Sequence, residues 1–367
     1  MVSGVAFDEV GNLYILDSQN YRVLKVDPSG RFLSEMGRGG DGPGEFGMPL
    51  AISVTTEGEV RVFDLGKQGF AVFNPDGSFK NTVPMGGGGM FVPTGNLLSH
   101  PGGGMVSGGA GRMRISIGSD AGEGPSTRNI NLFELGEEVE MTSIYEGWNP
   151  ATVGGSGRAQ TTATGDFQLS APPMRAFDPD LMVGVLPDGK IALVDSTTYE
   201  VKIFQPGEEV RQRLRRPLSP RPVTRRDQEA EKDRQLEEMA RRESSGGAGT
   251  FYVMGSDGGG GSRRISSPSI TAMMEDRIQN MEFGEEMPVI GGLWADWDGH
   301  LWLGRLGRRV GDAGPIDILS ATGDYLGTLA PEEFKMPDAF GPNGLAAYIE
   351  TDELDVPRVV VRRITVH

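Results

Sequence analysis

One pattern recurs along this chain and restricts its fold more than any other feature. Val5-Ala-Phe-Asp-Glu-Val-Gly11-Asn-Leu-Tyr-Ile-Leu-Asp17 leads into Tyr21-Arg-Val-Leu-Lys-Val-Asp27-Pro-Ser-Gly30 and then Arg31-Phe-Leu-Ser-Glu-Met36. These are four short alternating runs with glycine-bearing turns among them, the signature of an up-and-down antiparallel sheet. A lone sheet of this kind cannot bury both faces, so its copies must stack on one another. The order returns at 52–83, with Gly58 and Gly77 at turns and Asp64 in the place of Asp17. It returns again at 181–214, with Gly189, Gly207 and Asp195, and in a more divergent form at 291–329.

Copies of about 40 to 50 residues have the size of one propeller blade. The 367 residues therefore predict an all-β fold, a six-bladed β-propeller of four-stranded antiparallel blades in a single domain spanning 1–367. The expected blades are 2–36, 51–83, 91–145, 167–216, 289–329 and 340 to the end. The stretch 86–165 is poorly patterned and leaves room for a further sheet. The last copy, with runs at 345–350 and 359–366, is one strand short. An open ring leaves sheet edges unpaired, and a strand from one terminus can complete the blade formed by the other. Because Met1 lies almost at the first strand, the expectation is that the natural chain starts earlier, with a closing strand and an export signal.

The segment 217–288 does not fit the repeat and reads as an insertion between blades four and five. Thr224-Arg-Arg-Asp227 has the form of a helix start, and Glu229 to Arg242 contains strong helix formers, with Glu237/Arg241 and Glu238/Arg242 at i, i+4 spacing. Glycine runs at 246–249 and 258–261 read as flexible loop. Strand alternation places this insertion at the end of the ring where the second-to-third-strand turns emerge. The residues expected to bind at that face are Tyr21, Arg22, Lys67, Gln68, Tyr199, Arg305, Arg308 and Arg309.

A formal net charge of −16 disfavours nucleic acid as a partner, and the absence of cysteine excludes disulfides and thiolate chemistry. No run is apolar enough to span a bilayer. Asp17, Asp64 and Asp195 recur at one repeat position, which suits caps on the turn after the second strand better than a calcium ring; Arg305 stands there in blade five. Asp296-Trp-Asp298-Gly299 and Asn74-Pro-Asp-Gly77 read as hairpin turns. The glycine runs lack the lysine of a phosphate loop. Arg211, Arg213, Arg215, Arg216, Arg221, Arg225 and Arg226 form a basic region, read as a solvated face or a partner to acidic groups. Trp148, Trp294, Trp297 and Trp302 read as packing between blades, unless one reaches the channel mouth and anchors a ligand.

The stretch Gly42-Pro-Gly-Glu-Phe-Gly-Met-Pro49 with Gly58, Asp64 and Phe73-Asn-Pro-Asp-Gly77 resembles an NHL-type repeat, as does Gly11-Asn-Leu-Tyr-Ile-Leu-Asp17 with Asn20 and Arg22. As a whole the chain is similar to exported six-bladed, TolB-like bacterial propellers, some with a motif like Asp352-Glu-Leu-Asp355. That resemblance implies a periplasmic or extracellular location and a binding role. Propellers of the amidating-lyase type hold a metal with several histidines, whereas this chain has only His100, His300 and His367, at positions that do not converge. Lactonase-like propellers use scattered carboxylates and amides, for which Asp8, Glu57, Asn149, Asp178 and Asp296 are the candidates. The expected function is thus a non-enzymatic, monomeric scaffold that needs no cofactor or metal. It recognises a protein or peptide partner on the insertion face, in the manner of an accessory subunit of a cell-envelope complex. The alternative is a divalent-metal-dependent lactonase- or lyase-like enzyme acting on a small molecule.

Overall fold

The computed structural model describes residues 2–86, 97–108, 116–117, 127–148, 158–161, 167–170, 174–244, 251–254, 262–265, 268–352 and 356–366. Blade one consists of Val2–Phe7, Leu13–Asp17, Arg22–Val26 and Phe32–Met36, hydrogen-bonded in chain order. Blade two repeats the plan with Pro49–Val54, Val60–Asp64, Gly69–Phe73 and Phe79–Pro84. Blade four (Met182–Val185, Ile191–Val194, Glu200–Phe204, Gln212–Arg215) and blade five (Ile290–Ala295, Leu301–Arg305, Ile316–Leu319, Tyr325–Leu329) follow it as well. Blade three is Leu98–Ser99, Met105–Gly108, Thr127–Leu135 and Val139–Trp148, with much longer outer strands. The sixth, Ala339–Phe340, Leu345–Thr351 and Pro357–Arg363, has three strands among the described residues. This is the expected six-bladed propeller.

The turn from first to second strand shows how sequence dictates the local structure. In blade one the Asp8 N–H donates to the Asn12 carbonyl and the Gly11 N–H to the Asp8 carbonyl; blade two does the same with Thr55, Glu59 and Gly58. Gly11 and Gly58 have φ of 86° and 89°, a left-handed conformation that a side chain would strain. Each sheet then buries one face against the next. Tyr14, Leu16, Val23 and Met36 of blade one close on Val60, Val62, Ala71 and Phe73 of blade two, and corresponding clusters fill the other interfaces. Burial of this apolar area, at about 25 cal/mol per Å², holds the ring together.

The blade boundaries differ from expectation in the middle of the chain. Blade four begins at Met182, and Arg158–Thr161 and Phe167–Ser170 instead join Ser116–Ile117 in a separate three-stranded sheet. The insertion is richer than one helix on a tether. Helix α1 (Arg225–Ser244) and helix α2 (Pro268–Gln279) flank a hairpin of Phe251–Met254 and Ser262–Ile265. The expected cap is present: the Asp227 N–H donates to Thr224 Oγ1, and the Thr224 N–H donates back to Asp227 Oδ2. Arg221–Pro222 pairs with Glu286–Met287 at the base of the insertion, and Glu282–Phe283 pairs with Arg175–Ala176 ahead of blade four. The insertion sits at the expected end. Arg221 donates to the Arg308 carbonyl, the Val289 N–H to Thr197 and Thr197 Oγ1 to Glu286. No described helix is long and apolar enough to cross a membrane.

Candidate functional site

Six inner strands stand around one axis, and each turns an unpaired edge of N–H and C=O groups towards it. Between them lies a cavity of about 810 Å³. Its wall follows the inner strands from Ser3, Leu50, Leu181 and Gly292 to the turns at Glu57, Pro101, Pro187 and Trp297, and none of it comes from the insertion. Those turns lie at the end of the ring opposite the insertion, and Glu57, Pro101 and Pro187 are exposed there.

The wall has two characters. Phe7, Trp294, Trp297 and Phe340, from blades one, five and six, make it aromatic on one side. Across the axis, blades two and three contribute Ser53, Thr55, Glu57, Ser99 and His100. Glu57 is held below the usual carboxylate range, chiefly by its own main-chain N–H and then by the Thr56 and Thr55 hydroxyls, so the mouth carries a negative charge at neutral pH. The Ser53 hydroxyl oxygen is buried without a hydrogen-bond partner. His100 is committed to structure: Nε2 lies 2.9 Å from the Gly189 carbonyl of blade four, and Nδ1 accepts the Gly102 N–H.

Asp296, Asp298 and His300 bring three potential metal-ligand atoms within 4.8 Å of one another. Their chemistry, however, is that of a turn. Asp296 Oδ1 accepts the Asp298 and His300 N–H groups, while Oδ2 meets His300 Nδ1 at 2.8 Å and accepts Trp302 Nε1–H at 2.9 Å. Blade one uses the same circuit without histidine: Asp8 Oδ1 accepts the Asn12 N–H, and Oδ2 accepts the Asn12 amide and the Tyr14 hydroxyl. Burial, followed by the Asp8 charge, raises the Tyr14 phenol, which stays protonated to make that bond. A carboxylate saturated in this way has no lone pair facing a divalent ion, so the donor set does not fit a metal centre. Of the other lactonase-type candidates, only Glu57 shares the cavity wall with Asp296 among the described residues. Asp178 forks onto Arg175, Asp8 is spent in its turn, and Asn149 lies outside the described residues.

No family profile matches the chain, and no curated protein matches it. Solved structures do. Virginiamycin B lyase from Staphylococcus aureus is 11% identical, with 93% of this chain and 87% of that one covered and a TM-score of 0.34. A gluconolactonase from Xanthomonas campestris is 12% identical over 98% and 81%, with a TM-score of 0.36. A Bacteroides fragilis protein named for its expected export is 12% identical over 99% and 90%, with a TM-score of 0.46. At this distance the likeness concerns fold alone. It nevertheless corrects one expectation: with a lyase and a lactonase among these propellers, the non-enzymatic reading is withdrawn.

The eight residues expected at the insertion face do not gather into one group, and none lines the cavity. Tyr21 ends a short 3-10 turn in the left-handed conformation and lies against Gly39. Arg22 pairs with Asp17 and Glu35, and Lys67 reaches Asp41 at 3.6 Å. Gln68, with φ of 49°, shapes the turn before the third strand of blade two. Arg308 and Arg309 are exposed beside the insertion. Tyr199 and Arg305 do meet, around the fully buried Asp317, whose carboxylate is 2.7 Å from Arg216 and 3.4 Å from Arg305. Burial, then Asp317, raises the Tyr199 phenol. The recurrent aspartates also divide. Asp64 accepts the N–H groups of Gly47, Met48 and Lys67 as a true cap, whereas Asp195 binds the Lys202 ammonium and the Tyr145 hydroxyl. Sequence reading missed Ser53, Ser99, Phe7 and Phe340. Their common signal is position, on or beside the inner strand of a blade.

Proposed function

We propose that the chain binds a small, flat, predominantly apolar molecule in the axial cavity, with the polar or cationic end of that molecule towards Glu57. The observation that carries this reading is the cavity itself, whose 810 Å³ falls within the range of small-molecule sites, about 300 to 1,000 Å³. The aromatic wall supplies stacking area, and the unpaired strand edges supply hydrogen bonds. Glu57 is an anionic group at the mouth that would orient a ligand, and turnover of small esters and lactones belongs to the same test.

The experiment is a small-molecule screen on the purified chain by thermal shift and tryptophan fluorescence, with each hit also assayed for chemical change. Hits should quench tryptophan emission and weaken about tenfold in E57Q or W297A. Hits indifferent to both substitutions would overturn the reading.

A further inference from the structure

Charge is shared out unevenly between the blade boundaries and the axis. At the boundaries of blade four, buried carboxylates are answered by cations, Asp195 by Lys202 and Asp317 by Arg216 and Arg305. The axial cavity has no such answer. Among the described residues of its wall there is neither lysine nor arginine, while Glu57, Asp296 and Asp338 bring three carboxylates to it. Asp296 is spent in its turn, which leaves Glu57 and Asp338.

Neither forms a salt bridge among the described residues. Glu57 is kept ionised by neutral donors, its own main-chain N–H and then the Thr56 and Thr55 hydroxyls; Arg61 acts on it least and is itself bonded to Glu59. Asp338 Oδ2 accepts the Ile349 N–H at 2.6 Å, and the residue is exposed on the cavity wall. The two carboxylates stand at different depths. The Gly341 N–H donates to the Leu345 carbonyl as the Thr55 N–H donates to that of Glu59, so Gly341 and Thr55 share one level near the mouth. Asp338 lies three residues before Gly341, about 7 to 10 Å deeper along the axis. The aromatic side of the wall is held in place as well: the Trp294 ring rests on the backbone of Gly292, where a Cβ would come within 2.1 Å of it.

We infer that the cavity takes an organic dication, a flat apolar body with an amine at each end, one nitrogen at Glu57 and the other at Asp338. This rests on the cavity being a ligand site and names the class it admits. Low-dielectric walls focus the field of carboxylates that no cation neutralises, which draws cations in and repels anions. The aromatic rings add attraction for a positive charge lying over a face. A ligand carboxylate, by contrast, meets no positive side chain among the described residues of the wall.

The probes keep one frame and change its charge: para-xylylenediamine, benzylamine, benzenedimethanol and terephthalate. Titrated calorimetrically into the whole chain at low ionic strength, the diamine should bind at least about tenfold tighter than benzylamine. The diol should bind more weakly than benzylamine, and terephthalate should not bind. E57Q and D338N should each weaken the diamine about tenfold and erase its advantage over benzylamine. Both amides keep an oxygen to accept the neighbouring N–H, so the thermal midpoint should move by no more than a few degrees. Because the chain carries a net charge of −16, a diffuse attraction for cations is the rival, and it would survive both substitutions. Diamine binding unchanged in E57Q and D338N therefore overturns the inference, as does a diol that matches the diamine or a preference for terephthalate. In each of those cases the cavity remains a ligand site if W297A still weakens whatever binds; indifference to W297A as well removes both.

Discussion

The boundary between blades three and four and the boundary between blades four and five contain the same ionic device with its signs exchanged. In blade four Asp195 follows the second strand and Lys202, on the third strand, answers it; in blade five Arg305 and Asp317 hold those places. The register proves the equivalence, since Lys202 pairs with Leu193 and Asp317 with Leu303, each two residues before the charge it meets. The preceding blade supplies a tyrosine each time, Tyr145 to the first pair and Tyr199 beside the second. Burial lowers the Lys202 ammonium, but Asp195 and Tyr145 outweigh that and keep it charged. Where the third-strand position is charged, the repeat therefore neutralises the pair, with no preference for which partner is the acid. Blade one, with Leu24 at that position, pairs Asp17 with Arg22 at the start of the third strand instead, and blade two, with Ala71, has no third-strand cation there.

The sharpest way to break this symmetry is to remove the acid from each pair. Asp317→Ala leaves Arg216 and Arg305 uncompensated in a buried site and should cost about 3 to 5 kcal/mol by urea unfolding. Asp195→Ala strands only Lys202, which retains Tyr145, and should cost about 2 kcal/mol. A ranking in the opposite order would show that the two devices are not equivalent. Exchanging the charges, Arg305→Asp with Asp317→Lys, leaves Arg216 facing a like charge and should recover less than half of the sum of the single losses in a double-mutant cycle. Additive losses would mean that only the present polarity is tolerated. The turn circuits offer a milder comparison: Asp8→Ala and Asp296→Ala should each cost about 1 to 2 kcal/mol, within error of one another, if the histidine of blade five is only a structural donor.

The smallest expected effect lies in the insertion. Arg221, followed by Thr224, holds Asp227 below the usual carboxylate range after burial has been offset. A depressed folded pKa contributes stability above the unfolded value near pH 4 and loses it as pH falls through the folded value. The Arg221 side chain is 37% exposed, so solvent screening limits this to about 1 kcal/mol or less. Acid titration followed by circular dichroism should show α1 melting before the sheets, and D227N should remove that early phase.

How much of this was legible in the sequence depended on range. Blades one, two, four and five could be read because alternation, glycine turns and the aspartate after the second strand lie within about 40 residues of one another. Blade three could not, because 109–126 separates its second and third strands and the outer pair runs to 9 and 10 residues. Arg305 was visible as an exception to the aspartate rule, but its meaning required Asp317, twelve residues on, to be aligned with Lys202. The cavity was hidden for a similar reason. Ser53, Ser99, Trp294 and Phe7 are ordinary strand or strand-end residues until ring closure sets them around one axis.

The placement of the insertion has a practical corollary. With the insertion at one end of the wheel and Glu57, Pro101 and Pro187 rimming the other, anything that gripped the helices would leave the bowl open to diffusing molecules. A mooring contact and a loaded ligand would then occupy opposite ends, with neither obstructing the other.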